Sequence, residues 1–291
     1  DVARRQVMPF AEARGYLTDD TFIHLQFAKH LIRGEGFAFN AGEPTYGATS
    51  PLWVLLLAGT GLQIPGAATT PSSPAAIPAL ARVAKGWGAL ATIAAVLLAA
   101  ALARAIGWEP RWALAVASLV ALDAWSTRWA ISGMETPLAL ALALLVFLLL
   151  ARALVQGKST LPAGLALGAA FLVRPEFLLL FALAFVALLA DSEPRRRATR
   201  VLGLLIGAAI TAGPWLVVAF TWFHRILPNT GAAKAGAFLD PERAISALRE
   251  SIRALLAADF VPLAMAIGVL AWMRPWRAMG DGGRRAFWAL V

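Results

Sequence analysis

The sequence contains no cysteine, and only two tyrosines and three histidines among its 291 residues. The missing thiols exclude a cysteine nucleophile, a thiolate zinc site and any disulfide. His24, His30 and His224 never approach metal-ligand spacing with one another, so no histidine metal site is expected. Charged side chains are scarce at 15% of the chain, against roughly 25% in soluble domains. Polar interruptions are scarce as well. Residues 137–151 carry no polar side chain, and residues 201–223 carry no charge.

Hydrophobic residues fill 59% of the chain and mean hydropathy is +0.69. A bilayer crossing takes roughly 20 apolar residues, and seven or eight apolar segments can be counted. The expected fold is therefore all-α, a polytopic transmembrane helical bundle in which one domain occupies residues 1–291. Net charge is +9, but the cations fall in short clusters between apolar runs. That pattern suits loops facing the cytoplasm rather than one basic face for nucleic acid. Membrane lipids are the expected surroundings and nucleic acid is not an expected partner.

The basic clusters are Arg104 with Arg111, Arg152 with Lys158, residues 195–200 and residues 274–285. They alternate strictly with four mixed polar stretches at 1–50, 123–135, 174–176 and 223–250, one apolar segment separating each neighbouring pair. A chain weaving across a membrane produces this alternation, with the basic clusters inside and the mixed stretches outside. Residues 52–64 break the parity, being apolar but too short to cross unaided. They are expected to return as a re-entrant or interfacial helix, followed by a Pro/Ser/Thr linker at 65–78. The layout is then a first outer loop over 1–81, membrane helices over 82–222, an outer loop over 223–257 and a further membrane helix over 258–291. The chain begins at Asp1 without methionine and ends as residues 287–290 start another apolar run. It reads as a fragment lacking a first helix and a C-terminal part. No internal repeat supports a transporter built on inverted halves.

Thr18-Asp19-Asp20 opens an amphipathic helix that runs to Arg33 and closes at Gly34. Leu25, Ala28 and Ile32 share one face, while Lys29, His30 and Arg33 are polar, which suits a helix on the outer membrane surface. Asp19 and Asp20 point about 100° apart, so one carboxylate can cap the helix while the other faces a cavity. Glu135, in Ser-Gly-Met-Glu-Thr-Pro, reads as a first-turn acid facing solvent at a helix N-terminus. Asp123 and Arg128 lie in the apolar segment 112–131, where ionisable groups usually face a cavity or each other. Their five-residue separation disfavours direct pairing on one helix face. Arg174 and Glu176 flank Pro175 between two short apolar runs, and half-length helices at membrane depth must line a cavity. A functional role is expected there. His224, Arg225, Asn229 and Lys234 surround a Pro-Asn-Thr-Gly turn, where the cations either bind a phosphate or snorkel to the boundary.

Several of these motifs, taken in order over residues 16–235, resemble one signature. Asp19-Asp20-Thr21-Phe22-Ile23 is followed by Gly34-Glu35-Gly36-Phe37-Ala38-Phe39-Asn40, by Gly42-Glu43 and by Gly47-Ala48-Thr49-Ser50-Pro51-Leu52-Trp53. Ser132-Gly133-Met134-Glu135-Thr136-Pro137-Leu138, Arg174-Pro175-Glu176, and Leu227-Pro228-Asn229-Thr230 with Ala233-Lys234 complete it. The signature resembles the GT-C membrane glycosyltransferases, within the mycobacterial terminal arabinofuranosyltransferase (AftB) group. The resemblance implies a GT-C bundle and inverting transfer from a polyprenyl-phosphate sugar donor to the hydroxyl of a glycan or lipid acceptor. It implies a site facing outward from the bacterial cytoplasmic membrane. Asp19 or Asp20 would be the general base, with a slight lean to Asp19. Glu135 would lie near the cavity, with Glu176, His224 and Asn229 as further substrate contacts, and Arg174 with Lys234 would neutralise the leaving phosphate. Some GT-C enzymes hold a divalent cation on such carboxylates; nothing in this sequence demands a cofactor. The chain departs from the group at His24 and at Gly231-Ala232, which leaves the sugar open between arabinofuranose and a hexose. The alternatives from other classes are a lipid or sugar transporter and a non-catalytic assembly subunit.

Overall fold

A computed structural model describes residues 17–63, 76–189 and 194–228, with positions 245, 246 and 249. The described chain is mostly helical. Helix α1 (Asp19–Ile32) leads to a short antiparallel hairpin, β1 (Ala38–Asn40) with β2 (Glu43–Pro44), which an all-helical expectation did not include. Then come α2 (Pro51–Gly61), α3 (Ala76–Ala105), α4 (Pro110–Leu122), α5 (Ala124–Ala130), α6 (Thr136–Gln156) and α7 (Leu161–Val173). A 3-10 turn (Pro175–Phe177) separates α7 from α8 (Leu178–Leu189), and α9 (Pro194–Phe223) carries Pro214 inside it.

Three helices, α3, α6 and α9, are long and apolar enough to cross a membrane. Their outward faces carry Leu97, Ile210 and Val217, each more than half exposed, as lipid contact requires and water would penalise. Four other apolar helices are shorter than a span. Within the short apolar stretch, Pro51–Gly61 forms such a helix, and α7 and α8 meet as half-length pieces at Arg174-Pro175-Glu176. Pro175 explains the break, because the residue before a proline is pushed out of the helical region. Arg174 is extended, at φ −146° and ψ 115°.

Several expectations need correction. The segment 112–131 is not one apolar helix. Asp123 accepts a 2.6 Å hydrogen bond from Ser126 N–H and caps α5, ending α4 at Leu122. The cationic 195–200 cluster is helical, forming the first turns of α9. Helix α3 starts at Ala76, before the expected end of the first loop. Helix α1 is less a surface helix than a packed one. Thr21, His24, Leu25, Phe27, Ala28, His30 and Ile32 are all buried, against α2 and α3 among others. His30, expected on the polar face, is held inside by Gln26 and Glu35. Apart from positions 245, 246 and 249, the outer loop after residue 228 and the helix expected at 258–291 lie outside the described residues.

Among the described residues the alternating stretches fall at two opposite ends of the bundle. At one end Arg200 Nη2 donates to Ala153 O at 3.0 Å, Thr160 Oγ1 donates to Arg200 O at 2.5 Å, and Ile106 packs on Ala151. The clusters around Arg104, Lys158 and Arg195 therefore gather there. The other end lies one length of α6 away, roughly 30 Å at 1.5 Å per residue. There Arg174 reaches Glu135 and Thr21 reaches Ser132. Phe27, Phe37, Tyr46, Trp215 and Phe223 form an aromatic cluster that fastens the first loop to α9. Within it Trp215 Nε1 donates to Tyr46 Oη at 3.0 Å.

Helices α7 and α9 approach closely because glycines line their contact, a small-residue interface suited to lipid surroundings. A Cβ at Gly164 would stand 2.2 Å from Leu204 O, and one at Gly207 would stand 2.3 Å from Leu161 O. Both neighbours are backbone and cannot turn aside. Gly164→Ala is expected to force the helices apart and cost about 1–3 kcal/mol, the range for overpacking. Denaturant titration of the detergent-solubilised protein measures this, with Gly213→Ala, where the space is open, as the near-neutral comparison.

Candidate functional site

Glu135 stands at the N-cap of α6 and is only 3% exposed. The turn before it is fixed from several directions. Ser132 Oγ donates to Trp129 O at 2.8 Å and accepts from Met134 N–H at 3.1 Å. Thr21 Oγ1 of α1 donates to Ser132 O at 2.8 Å, across 111 residues of sequence. Gly133 takes φ 80°, and a Cβ there would meet Thr21 Cγ2 at 2.7 Å. Only glycine permits both that backbone and that approach.

Two side chains meet this carboxylate. Arg174 Nη2 donates to Glu135 Oε1 at 2.8 Å and to Thr136 Oγ1 at 3.4 Å. His24 Nε2 lies 3.3 Å from Glu135 Oε2, a charge contact once the imidazole is protonated. Burial pushes the Glu135 carboxyl up, but nearby His24 and then Arg174 outweigh it and hold the group below the usual range. The solvent-facing expectation for Glu135 is therefore overturned. A first-turn acid normally faces water, but here α1 and the Arg174 turn cover it.

Neither aspartate caps α1. The N-cap is Thr18, whose Oγ1 lies 2.8 Å from Thr21 Oγ1 without making a side-chain cap. Asp19 and Asp20 are exposed in the first turn, and among the described residues neither carboxylate has a partner. Their charge still favours the positive end of the helix. Asp20 precedes His24 by four residues and so shares its side of α1, whereas Asp19 lies on the outward side. Asp19, Asp20, Glu135 and Arg174 thus stand at one end of the bundle. His224 is at that end too, exposed at φ 53° just after Phe223, and does not touch the Glu135 cluster. Glu176 is exposed and takes no part in the Arg174 pairing. Asn229 and Lys234 lie outside the described residues. Arg128, expected near a cavity, instead lies over the Trp125 ring at 4.9 Å.

His24 is the site residue that sequence reasoning missed as a partner. Its signal was present: it sits at three-and-four spacing from Thr21 and Ala28, on the face that α1 buries. A buried histidine needs a partner, but nothing local names a glutamate 111 residues away. Three polar atoms of the cluster, His24 Nδ1, Glu135 Oε2 and Arg174 Nε, are buried without a hydrogen-bond partner among the described residues. Such atoms are costly to leave unmade and mark a place where a polar ligand would be welcome.

Beside the 3-10 turn an apolar cleft of about 290 Å³ opens between α7, α8 and α9, lined by Leu167, Phe171, Phe177, Phe181 and Leu216 among others. A hydrocarbon chain fits such a lining. Among the described residues no three acidic or histidine side chains are grouped to hold a metal ion. Comparison with protein-family models, with curated proteins and with solved structures returned no match to this chain.

Proposed function

We propose that this chain is the membrane core of an inverting glycosyltransferase of the GT-C type. It moves a sugar from a polyprenyl-phosphate donor to an acceptor hydroxyl on the outer face of the bacterial cytoplasmic membrane. The observation that carries the reading is the buried Glu135–Arg174–His24 cluster, reached by residues from three distant stretches, at the end of the bundle that also holds Asp19 and Asp20.

The chemistry needs three things. The acceptor hydroxyl must lose its proton as its oxygen attacks the anomeric carbon. The bond from that carbon to the donor phosphate breaks on the opposite face, and the electron pair leaves with the phosphate, which inverts the anomeric centre. A fixed cation must meet the charge that develops there. Asp20 is taken as the base because it precedes His24 by four residues on α1, with Asp19, to which the resemblance leans, as the alternative. Positioned carboxylates contribute on the order of 10²–10⁴-fold. Arg174 commits one nitrogen to Glu135 and is 39% exposed along its side chain, leaving other donors of its fork for a phosphate. Glu135 would then orient Arg174 rather than react. The isoprenoid tail would lie in the apolar cleft beside Phe177. Lys234, Asn229 and His224 are assigned to the same substrate through the resemblance, which leaves the sugar open between arabinofuranose and a hexose.

The test is transfer by the purified full-length protein in lipid nanodiscs, offered labelled polyprenyl-phosphate pentose and hexoses with a cell-wall glycan acceptor. The expected result is a glycosidic product of inverted configuration from one donor. Movement of lipid-linked sugar across a vesicle membrane, with no product from any donor, would establish the transporter instead.

A further inference from the structure

A polar cavity lies at the other end of the bundle from Glu135. It is a cleft of about 660 Å³ lined by Gly157, Lys158, Ser159, Thr160, Arg195, Arg196, Thr199 and Arg200. Its walls are the turn between α6 and α7 and the opening turns of α9. We propose that this cleft binds the headgroup phosphate of an anionic phospholipid in the leaflet opposite the Glu135 end.

The walls are pinned. Thr160 Oγ1 donates to Arg200 O at 2.5 Å, Arg200 Nη2 donates to Ala153 O at 3.0 Å, and Leu161 N–H donates to Ser159 Oγ at 3.2 Å. Thr160 is buried, while Lys158 and Arg195 are exposed at the rim. The cleft is therefore a shaped recess with exposed cations at its mouth.

Its electrostatics call for an anion. Helix α9 carries Arg195, Arg196 and Arg197 in its first turn and no acid there. The amino end of a helix is its positive end, so cations there stand against the dipole. The start of α7 adds a second positive helix end to the same cleft. Asp191 and Glu193 precede α9 in sequence and lie outside the described residues; counted in full against Lys158, Arg195, Arg196, Arg197 and Arg200 they still leave an excess of three positive charges. A bound phosphate answers both helix ends and the cations together.

Position selects the lipid. The charge of α9 stops at Arg200, and Val201 begins 23 residues without charge. The cleft thus sits where hydrocarbon gives way to headgroups, and basic pockets between spans at that depth hold anionic headgroups. Soluble phosphate would meet the same cations but gain nothing from that depth.

The experiment is native mass spectrometry of the full-length protein released from nanodiscs of mixed phosphatidylglycerol and phosphatidylcholine. Phosphatidylglycerol is expected to be retained preferentially. The double variant Lys158→Gln with Arg195→Gln should retain it on the order of thirtyfold less well, at about fivefold for each basic group near the surface. The charge-preserving pair Lys158→Arg with Arg195→Lys should retain it as the native protein does, which separates charge from folding. Equal retention of the two lipids, or unchanged retention by the double Gln variant, would overturn the proposal. Displacement of the lipid by millimolar inorganic phosphate at fixed ionic strength would overturn it in favour of a free-anion site. None of these readouts uses sugar transfer, so the outcome is independent of the proposed enzymatic activity.

Discussion

Asp20→Asn is expected to lower sugar transfer by about 10²–10⁴-fold while leaving the protein folded. The magnitude is that of losing a positioned general base whose carboxamide replacement keeps shape but cannot accept the proton. Folding should survive because Asp20 is exposed and caps nothing. What its charge contributes to stability is the helix-dipole term, about 0.3–1 kcal/mol. Asp19→Asn removes a similar dipole term from the outward side of α1, and its transfer rate is expected to fall less. The comparison between the two is the informative part. A large loss confined to Asp19→Asn would move the base to the outward carboxylate. Native rates in both variants would mean that no first-turn acid takes the proton, and the proposed mechanism would fail.

How far the chain can be read without coordinates depends on the range of the interactions concerned. The alternation of cationic clusters with mixed stretches is a property of consecutive loops, so it was legible, and among the described residues the contacts gather three cationic clusters at one end and parts of the mixed stretches at the other. The break at Arg174-Pro175-Glu176 was legible for a similar reason, since proline constrains its own neighbour whatever lies around it. Asp123 was misread because the hydropathy of 112–131 as a whole outweighs one polar residue. What decides the break is a side chain accepting Ser126 N–H three residues on, which offers the backbone a cap in place of a continued helix. Glu135 was misread for the opposite reason. Locally it is an ordinary first-turn acid, and only Arg174 and His24, distant in sequence, take it out of water. The GT-C resemblance rests on ordered short motifs, and the three long apolar helices bear only on the membrane part of it.

Arg174→Met is expected to destabilise the protein more than any other single change in the cluster. Removing the guanidinium leaves Glu135, 3% exposed, with its charge facing only His24. Breaking a fully buried pair costs roughly 3–5 kcal/mol. Arg174 is 39% exposed along its side chain, so solvent already screens part of the interaction and about 2 kcal/mol is expected here. Glu135→Gln should cost less, because the arginine it frees can turn toward water while the carboxamide still accepts a hydrogen bond. The double variant, Arg174→Met with Glu135→Gln, should recover part of the Arg174→Met loss, since the uncompensated buried charge is then gone. Denaturant titration of the four proteins closes the cycle. Additive losses would show that the two side chains do not act as a pair, and Glu135 would lose its role in holding Arg174. A coupled cycle joined to a transfer defect in Glu135→Gln milder than that of Asp20→Asn would place Glu135 behind the arginine rather than at the reacting atoms.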